Sequence, residues 1–315
     1  MISRVAFFHF EHPALLEAFA QLGCEVLTKA TPADVRDAQL CLVSMKFAAK
    51  NPLAMSLLRR PKNGPLIGVD RDGPSHMGEK PWRLAWLRRW LVMDAYATHT
   101  LQDAGGFARD VLYLPNAAWH TRYHLNGRSL ASLRDNAAYR HDVSFFGELD
   151  ARRMPEMARR SEFFAALAPR LESLGISTLF TSGALSLDEQ LALIQSSRIN
   201  LNFHAGCDTR WPGGWRGQPA SWGLPERCYG IPAAGGFLLS DARVHGADDF
   251  GSAAWSSFSD LDDCVAQIQY YLAHFDELRD KAELAHQRVL VDHTYVQRAR
   301  RLVDYVRYWR AMRNV

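Results

Sequence analysis

Short apolar runs bounded by turn residues alternate twice with stretches of helical spacing, and this alternation constrains the fold more than any single motif. In the first half, RVAFFHF reads as a compact strand. PALLEAFAQLG follows with apolar residues at helical spacing and stops on Gly23. CEVLT, AQLCLVSM and GPLIGVD are further apolar runs closed by Pro, Gly, Asp or Lys. The spacing predicts a helix from Trp82 to Met93, and DVLYLPN reads as a strand ending at a turn. Strands alternating with helices build a parallel sheet covered on both faces.

From Ala117 to Arg140 the pattern dissolves into a polar, aperiodic linker, and then the alternation restarts. HDVSFFGEL is a strand ending at Gly147, the run from Arg152 to Leu174 a helix, and GISTLFTSG a strand. SLDEQLALIQSSR is a helix with a Ser/Asp start, INLNFHAG a strand, PERCYGIPAA a broken helical turn, and GGFLLSD another strand. One or two helices follow from Leu261 to Leu290, and YVQRARRLVDYVRYWRAMR forms a last basic amphipathic helix. The expected fold class is α/β. Two Rossmann-like domains with parallel sheets face one another across a cleft, at residues 1–125 and 126–295. Helix 296–315 packs back towards the first. A length of 315 residues suits roughly two domains.

Composition narrows the function classes. With 48% hydrophobic and 23% charged residues the chain can bury a substantial core. A net charge of +3 permits an anionic substrate but lacks the basic excess of a nucleic-acid coat. The five cysteines are widely spaced without a metal-ligand pattern, as in a cytoplasmic protein with reduced thiols. The N-terminal apolar run is broken by His9, Glu11 and His12, so it does not read as a secretory leader. No apolar stretch reaches the roughly 18 residues needed to span a bilayer. The expected location is cytoplasmic.

In open α/β sheets ligands sit beyond the carboxyl ends of the strands, which turns strand ends into candidates. In the second half these are Gly147-Glu148, Thr181-Ser182-Gly183, His204-Ala205-Gly206, the pair Gly235-Gly236 before FLLSD, and Asp241 after it. Glycine lets the backbone approach a bulky anion, and Arg152 and Arg153 offer guanidinium donors to a diphosphate. Taken singly, each has a plainer alternative: a glycine after a strand closes a turn, and an arginine pair often decorates a solvated helix face.

The succession VSFFGELDARR, INLNFH, ERCYGIPAAGGFLLSD and DHTYVQRARRLVDYV resembles the group-1 glycosyltransferases of the GT-B type, most closely the CgeB-like (spore-maturation-protein-type) branch. YLPNAAW is similar to the Leu-Pro-Asn-Gly segment that closes the first domain of such enzymes, and the resemblance extends over roughly residues 110–305. It implies a nucleotide-diphosphate sugar as donor in the second domain and an acceptor (glycan, protein, lipid-linked or small molecule) at the first. It also implies no cofactor, no metal, and a retained anomeric configuration. Gly147, Arg152, Arg153, His204, Glu226, Arg227, Gly235 and Gly236 would bind the donor, and Arg153 would stabilise the departing diphosphate. The helix entered at Pro225 would aim its N-terminal amides at the donor. One departure stands out. Where the family has a ribose-holding Glu, this chain has Gly230, and Glu226 lies one helical turn earlier. Glu226 either takes over that contact or merely starts a helix; a non-catalytic binding protein on a degenerate GT-B fold is the competing expectation.

Three further constellations keep two readings each. GVDRDG carries Asp70 and Asp72 in the spacing that holds a divalent metal in GT-A enzymes, but aspartates are common in turns. With a GT-B resemblance, Asp70, Asp72 and His76 read as acceptor-side residues, Asp72 as the candidate general base. The Gly/Trp-rich stretch 207–223 is a functional loop, with Trp211, Trp215 and Trp222 to stack and Arg210 and Arg216 to meet phosphate, or it is a packed surface loop. Trp82, Trp86 and Trp90 recur every four residues beside Arg83, Arg88 and Arg89: core packing with a basic outer face, or peripheral membrane contact. A nucleic-acid-modifying glycosyltransferase is the weakest alternative, because the charge is modest.

Overall fold

The computed structural model describes residues 2–58, 61, 64–74, 77, 79–151, 157–204 and 220–313. They form two compact units: Met1–Asn116 with Ser221–Gly223 and Tyr295–Val315, and Ala117–Ala220 with Leu224–Thr294.

The first unit opens with β1 (Arg4–Phe8), α1 (Pro13–Gln21), β2 (Glu25–Leu27), α2 (Pro32–Asp37) and β3 (Leu40–Ser44). It continues through α3 (Met45–Lys50), α4 (Pro52–Leu57), β4 (Leu66–Val69), α5 (Pro81–Trp90), β5 (Met93–Thr98) and β6 (Ala108–Tyr113). Its six strands are all parallel, in the order β2-β1-β3-β4-β5-β6. Continuous burial along β3 and β4 explains their unbroken apolar sequences, since both faces of a parallel sheet are covered. In α1, Ala14, Leu15, Ala18 and Phe19 face the sheet, and Gly23 at φ 77 ends the turn after it. A reciprocal capping box between Thr31 and Asp34 starts α2.

Two local readings change. The helix expected from Trp82 to Met93 ends at Trp90 because Leu91 turns left-handed at φ 43, and Met93 already belongs to β5. MDAYAT hides its strand character because it carries a charge and two alanines. In place, the strand is buried throughout, and its Asp94 carboxylate accepts from the Leu66 amide at 2.9 Å and from Arg313 at 3.1 Å. The tryptophan stripe is not core packing either. Leu87 and Leu84 take the inner face of α5, whereas Trp82, Trp86 and Trp90 face solvent.

The second unit begins with the aperiodic stretch, which contains two 3-10 turns (Ala131–Arg134 and Asn136–Ala138). Then come β7 (His141–Phe146), α6 (Ala158–Ser173), β8 (Thr178–Thr181), α7 (Leu187–Gln195), β9 (Ser197–Asn202) and α8 (Arg227–Ala233). β10 (Leu238–Asp241), α9 (Val244–Phe250), β11 (Ser257–Phe258), α10 (Leu261–Ala273) and α11 (Phe275–Asp292) complete it. These five strands are also parallel, ordered β11-β10-β9-β7-β8. One face packs Val143, Phe145, Ile199 and Leu239 under α6 and α10. The other packs Ile194, Leu224, Cys228, Tyr229 and Ile231. Ser186 and Glu189 form the capping box that the Ser/Asp start of α7 suggested. α12 (Tyr295–Arg313) returns to the first unit, where it packs on α1 and Arg298 donates to the carbonyls of Pro115 and Asn116 at 2.7 and 2.9 Å.

Candidate functional site

Renumbered within its unit, the second sheet has the order 2-1-3-4-5, for which the ligand crevice opens outside the carboxyl ends of the first and third strands. Those strands are β7 and β9, paired from His141↔Ser197 to Ser144↔Asn200. β7 runs out at Phe146 into Gly147, and β9 at Asn202 into Phe203 and His204. Two expected site residues, Gly147 and His204, thus end adjacent strands.

Arg227, the first residue of α8, reaches this switch point from its own element. Its Nη1 donates to the Phe146 carbonyl at 2.7 Å, and the guanidinium lies over the rings of Phe145 and Phe146 at 5.0 and 5.3 Å. Gly147 makes this approach possible. It sits at φ 152, and a Cβ there would come within 2.8 Å of Arg227 Nη2 and 3.1 Å of Phe145. The guanidinium is half-buried, and burial pulls its pKa down. Among the described residues it forms no ion pair, and the bond to Phe146 is its one hydrogen bond. A desolvated guanidinium that makes no ion pair among the described residues and feels the Asp241 carboxylate only through space, at the strand ends, is an arrangement an anionic ligand would relieve.

Neighbouring groups hold the rim in place. Arg160 on α6 donates to the Phe203 carbonyl at 2.7 Å and to the Glu148 carbonyl at 3.3 Å, tying the ends of β7 and β9 together. The His204 amide donates to Asp241 Oδ1 at 3.1 Å, and the Asp241 carboxylate also pairs with Arg243. Asp241 is therefore engaged in the scaffold. Glu226 precedes Arg227, half-buried and in the helical region. Both reach Tyr123 electrostatically: burial pushes the Tyr123 hydroxyl up, Glu226 adds to the push, and Arg227 opposes it. Tyr123 comes from the aperiodic stretch, where no periodicity marked it; its hydroxyl donates to Gln190 on α7 at 2.5 Å.

Gly230 lies under this ring. A Cβ on it would meet Tyr123 Cγ at 3.2 Å, so the space beside Gly230 is occupied by an aromatic side chain. α8 is seven residues long, too short for its N-terminus to be a strong anion site.

Gly235 and Gly236 are not brought to this rim. They precede β10 and so lie at the amino end of the sheet, where they terminate α8: Gly235 donates to the Pro232 carbonyl and Gly236 to that of Ile231, with Gly235 at φ 78. Leu133 and Leu125 would be 2.6 and 2.7 Å from a Cβ on Gly235, and its carbonyl accepts two bonds from buried Arg279 at 3.1 Å. Their glycine character follows from helix termination and packing.

In the first unit Asp70 follows β4 and is committed to its own turn. Its carboxylate accepts from the amides of Asp72 (3.0 Å) and Gly73 (2.5 Å) and from the hydroxyl of Tyr96. Burial raises its pKa to about 6 against the hydrogen bonds that lower it. Asp72 is exposed on that turn. Arg152, Arg153, His76, Arg210, Trp211, Trp215 and Arg216 lie outside the described residues; Trp222 is described and exposed, its amide donating to Gln102 at 3.3 Å.

Two all-parallel Rossmann-like sheets with a helical C-terminus define a GT-B architecture, and comparison with solved structures agrees. Sucrose-phosphate synthase from Thermosynechococcus elongatus aligns at a TM-score of 0.63 with 9% identity, over 98% of this chain and 100% of that one. Anabaena HepE in complex with UDP-glucose aligns at 0.59 with 10% identity over 98% and 100%. A glycosyltransferase from Rickettsia africae aligns at 0.60 with 7% identity over 98% of each. No curated protein matches the chain in sequence. The family model described as glycosyl transferase-like matches residues 130–304, more than half of the chain. The chain belongs to this glycosyl transferase-like family.

Proposed function

We propose that the protein is a glycosyltransferase that binds a nucleotide-diphosphate sugar through its second unit and transfers the sugar to an acceptor recognised by the first. The observation that carries this reading is the half-buried Arg227 at the switch point, which makes no ion pair among the described residues and which Gly147 admits to the strand end. Its remaining N–H groups offer a fork to the donor diphosphate, and the charge offsets what develops on the leaving group as the glycosidic bond to it breaks. His204 and Glu226 flank the same rim and are proposed to orient the donor; Asp72 is proposed on the acceptor side. Arg152 and Arg153 follow Gly147 in sequence, and a role for Arg153 on the leaving diphosphate belongs to the same proposal. A metal-independent, retaining course without a bound cofactor completes it. HepE was solved with UDP-glucose, a donor of the class proposed here.

Gly230 under Tyr123 favours a second reading, a protein that binds the nucleotide sugar without transferring it. A panel of UDP-, GDP- and dTDP-sugars separates the two: release of nucleoside diphosphate with any of them supports the enzyme, binding without release supports the binding protein, and absence of both overturns the site. Activity is expected to survive a chelator; loss restored by Mn²⁺ would contradict the metal-independent course.

A further inference from the structure

The outer face of α5 has no use in the proposed chemistry. Trp82, Trp86 and Trp90 are 56%, 45% and 46% exposed, and the last two stack at 5.5 Å. Three exposed indoles in one row are expensive to keep in water unless something covers them. On the adjoining α4, Leu53 and Leu57 are exposed as well. The opposite side of α5 is fixed to the unit by fully buried Leu87 and by Arg88, which donates to the Asp103 carbonyl at 2.9 Å and lies over Phe107 at 4.4 Å. The tryptophans are therefore presented by an anchored helix.

Charge selects the occupant. With Arg88 on the anchored side, α4 and α5 leave Arg83 and Arg89 and no carboxylate around this face, with Lys80 immediately before α5. The nearby carboxylate of Glu79 is buried and paired with Arg83 and Lys50 at 2.9 and 3.5 Å. A second copy of this face would oppose cations to cations. Indoles combine an apolar body with a polar N–H and settle at the boundary between headgroups and acyl chains, while arginines beside them favour anionic lipid.

We propose that the α4–α5 face docks the protein on an anionic bilayer surface, with Trp82, Trp86 and Trp90 entering the headgroup–acyl boundary and Arg89 among the headgroups. The test mixes the full chain with vesicles of equal parts phosphatidylcholine and phosphatidylglycerol, and with vesicles of phosphatidylcholine alone. The expected results are co-sedimentation with the anionic vesicles, quenching of tryptophan emission by brominated acyl chains, and loss of both in Trp82→Ser/Trp86→Ser/Trp90→Ser. Arg89→Gln weakens the partition about fivefold. The quench is read on the wild-type protein, so it decides even if the triple variant fails to fold. Wild type remaining in the supernatant overturns the proposal, as does binding without quench or binding that persists in a folded triple variant. A concentration-dependent dimer abolished by the triple variant overturns it in favour of a copy-to-copy interface.

Discussion

Replacing Arg227 with methionine removes the guanidinium but keeps the length and most of the apolar stem. The lost charged bond to the Phe146 carbonyl at 2.7 Å costs about 1.5–3 kcal/mol of stability. Removing a desolvated charge that forms no ion pair among the described residues returns an amount of the same order. The two nearly cancel, so the thermal midpoint is expected to move by no more than about 4 °C. Binding has no such compensation. Truncating one partner of a buried charge pair costs about 2–5 kcal/mol, and half-burial places Arg227 near the lower end, at about 2–3 kcal/mol. Calorimetry with UDP and GDP should therefore show the affinity of whichever nucleotide binds falling about 30- to 150-fold in Arg227→Met. Unchanged affinity together with a large drop in the midpoint would refute the reasoning, because the guanidinium would then be a structural strut.

Gly147→Ala forces a Cβ to within 2.8 Å of Arg227 Nη2 at a strained φ, so it should lose about 1–3 kcal/mol in denaturant unfolding and weaken nucleotide binding by displacing the guanidinium. Gly230→Glu drives its side chain into Tyr123 and should destabilise, while adding Tyr123→Ala should recover part of the loss; additive effects in the double-mutant cycle would contradict the contact. Asp70 has a folded pKa raised from 3.8 to about 6, so its stabilising contribution is full below about pH 4 and lost as pH rises through 6, a loss of about 3 kcal/mol. Buried His12, lowered to about 3, slopes the other way. The difference between wild type and Asp70→Asn in urea unfolding from pH 4 to 7 isolates the Asp70 slope; parallel pH profiles would contradict it.

Much of the fold is legible because parallel strands buried on both faces, such as LCLVS and LIGV, are continuous apolar runs, and amphipathic helices such as α1 and α7 carry their own stop or cap signals. β5 escapes because its Asp94 carboxylate is satisfied by partners distant in sequence, the Leu66 amide and the Arg313 guanidinium. Within the site, Gly147 and His204 follow from the rule about strand ends, and Arg227 from the family resemblance. Gly235 and Gly236 carry the same residue type at the other end of a strand, and only chain direction tells the two apart. Tyr123 and Arg160 belong to the rim through tertiary packing alone, which no spacing encodes. The tryptophan stripe fits a buried or a solvent-facing helix side equally well in sequence; Leu84 and Leu87 decide it by taking the inner face.

The central claim is that the second unit holds a donor diphosphate where β7 and β9 end. A crystal structure of the protein grown with UDP or GDP, whichever calorimetry shows to bind, tests it most directly. Diphosphate oxygens within hydrogen-bond distance of the Arg227 guanidinium and close against Gly147 are the expected result. A nucleotide seated elsewhere, with Arg227 still bonded only to the Phe146 carbonyl, would contradict the account.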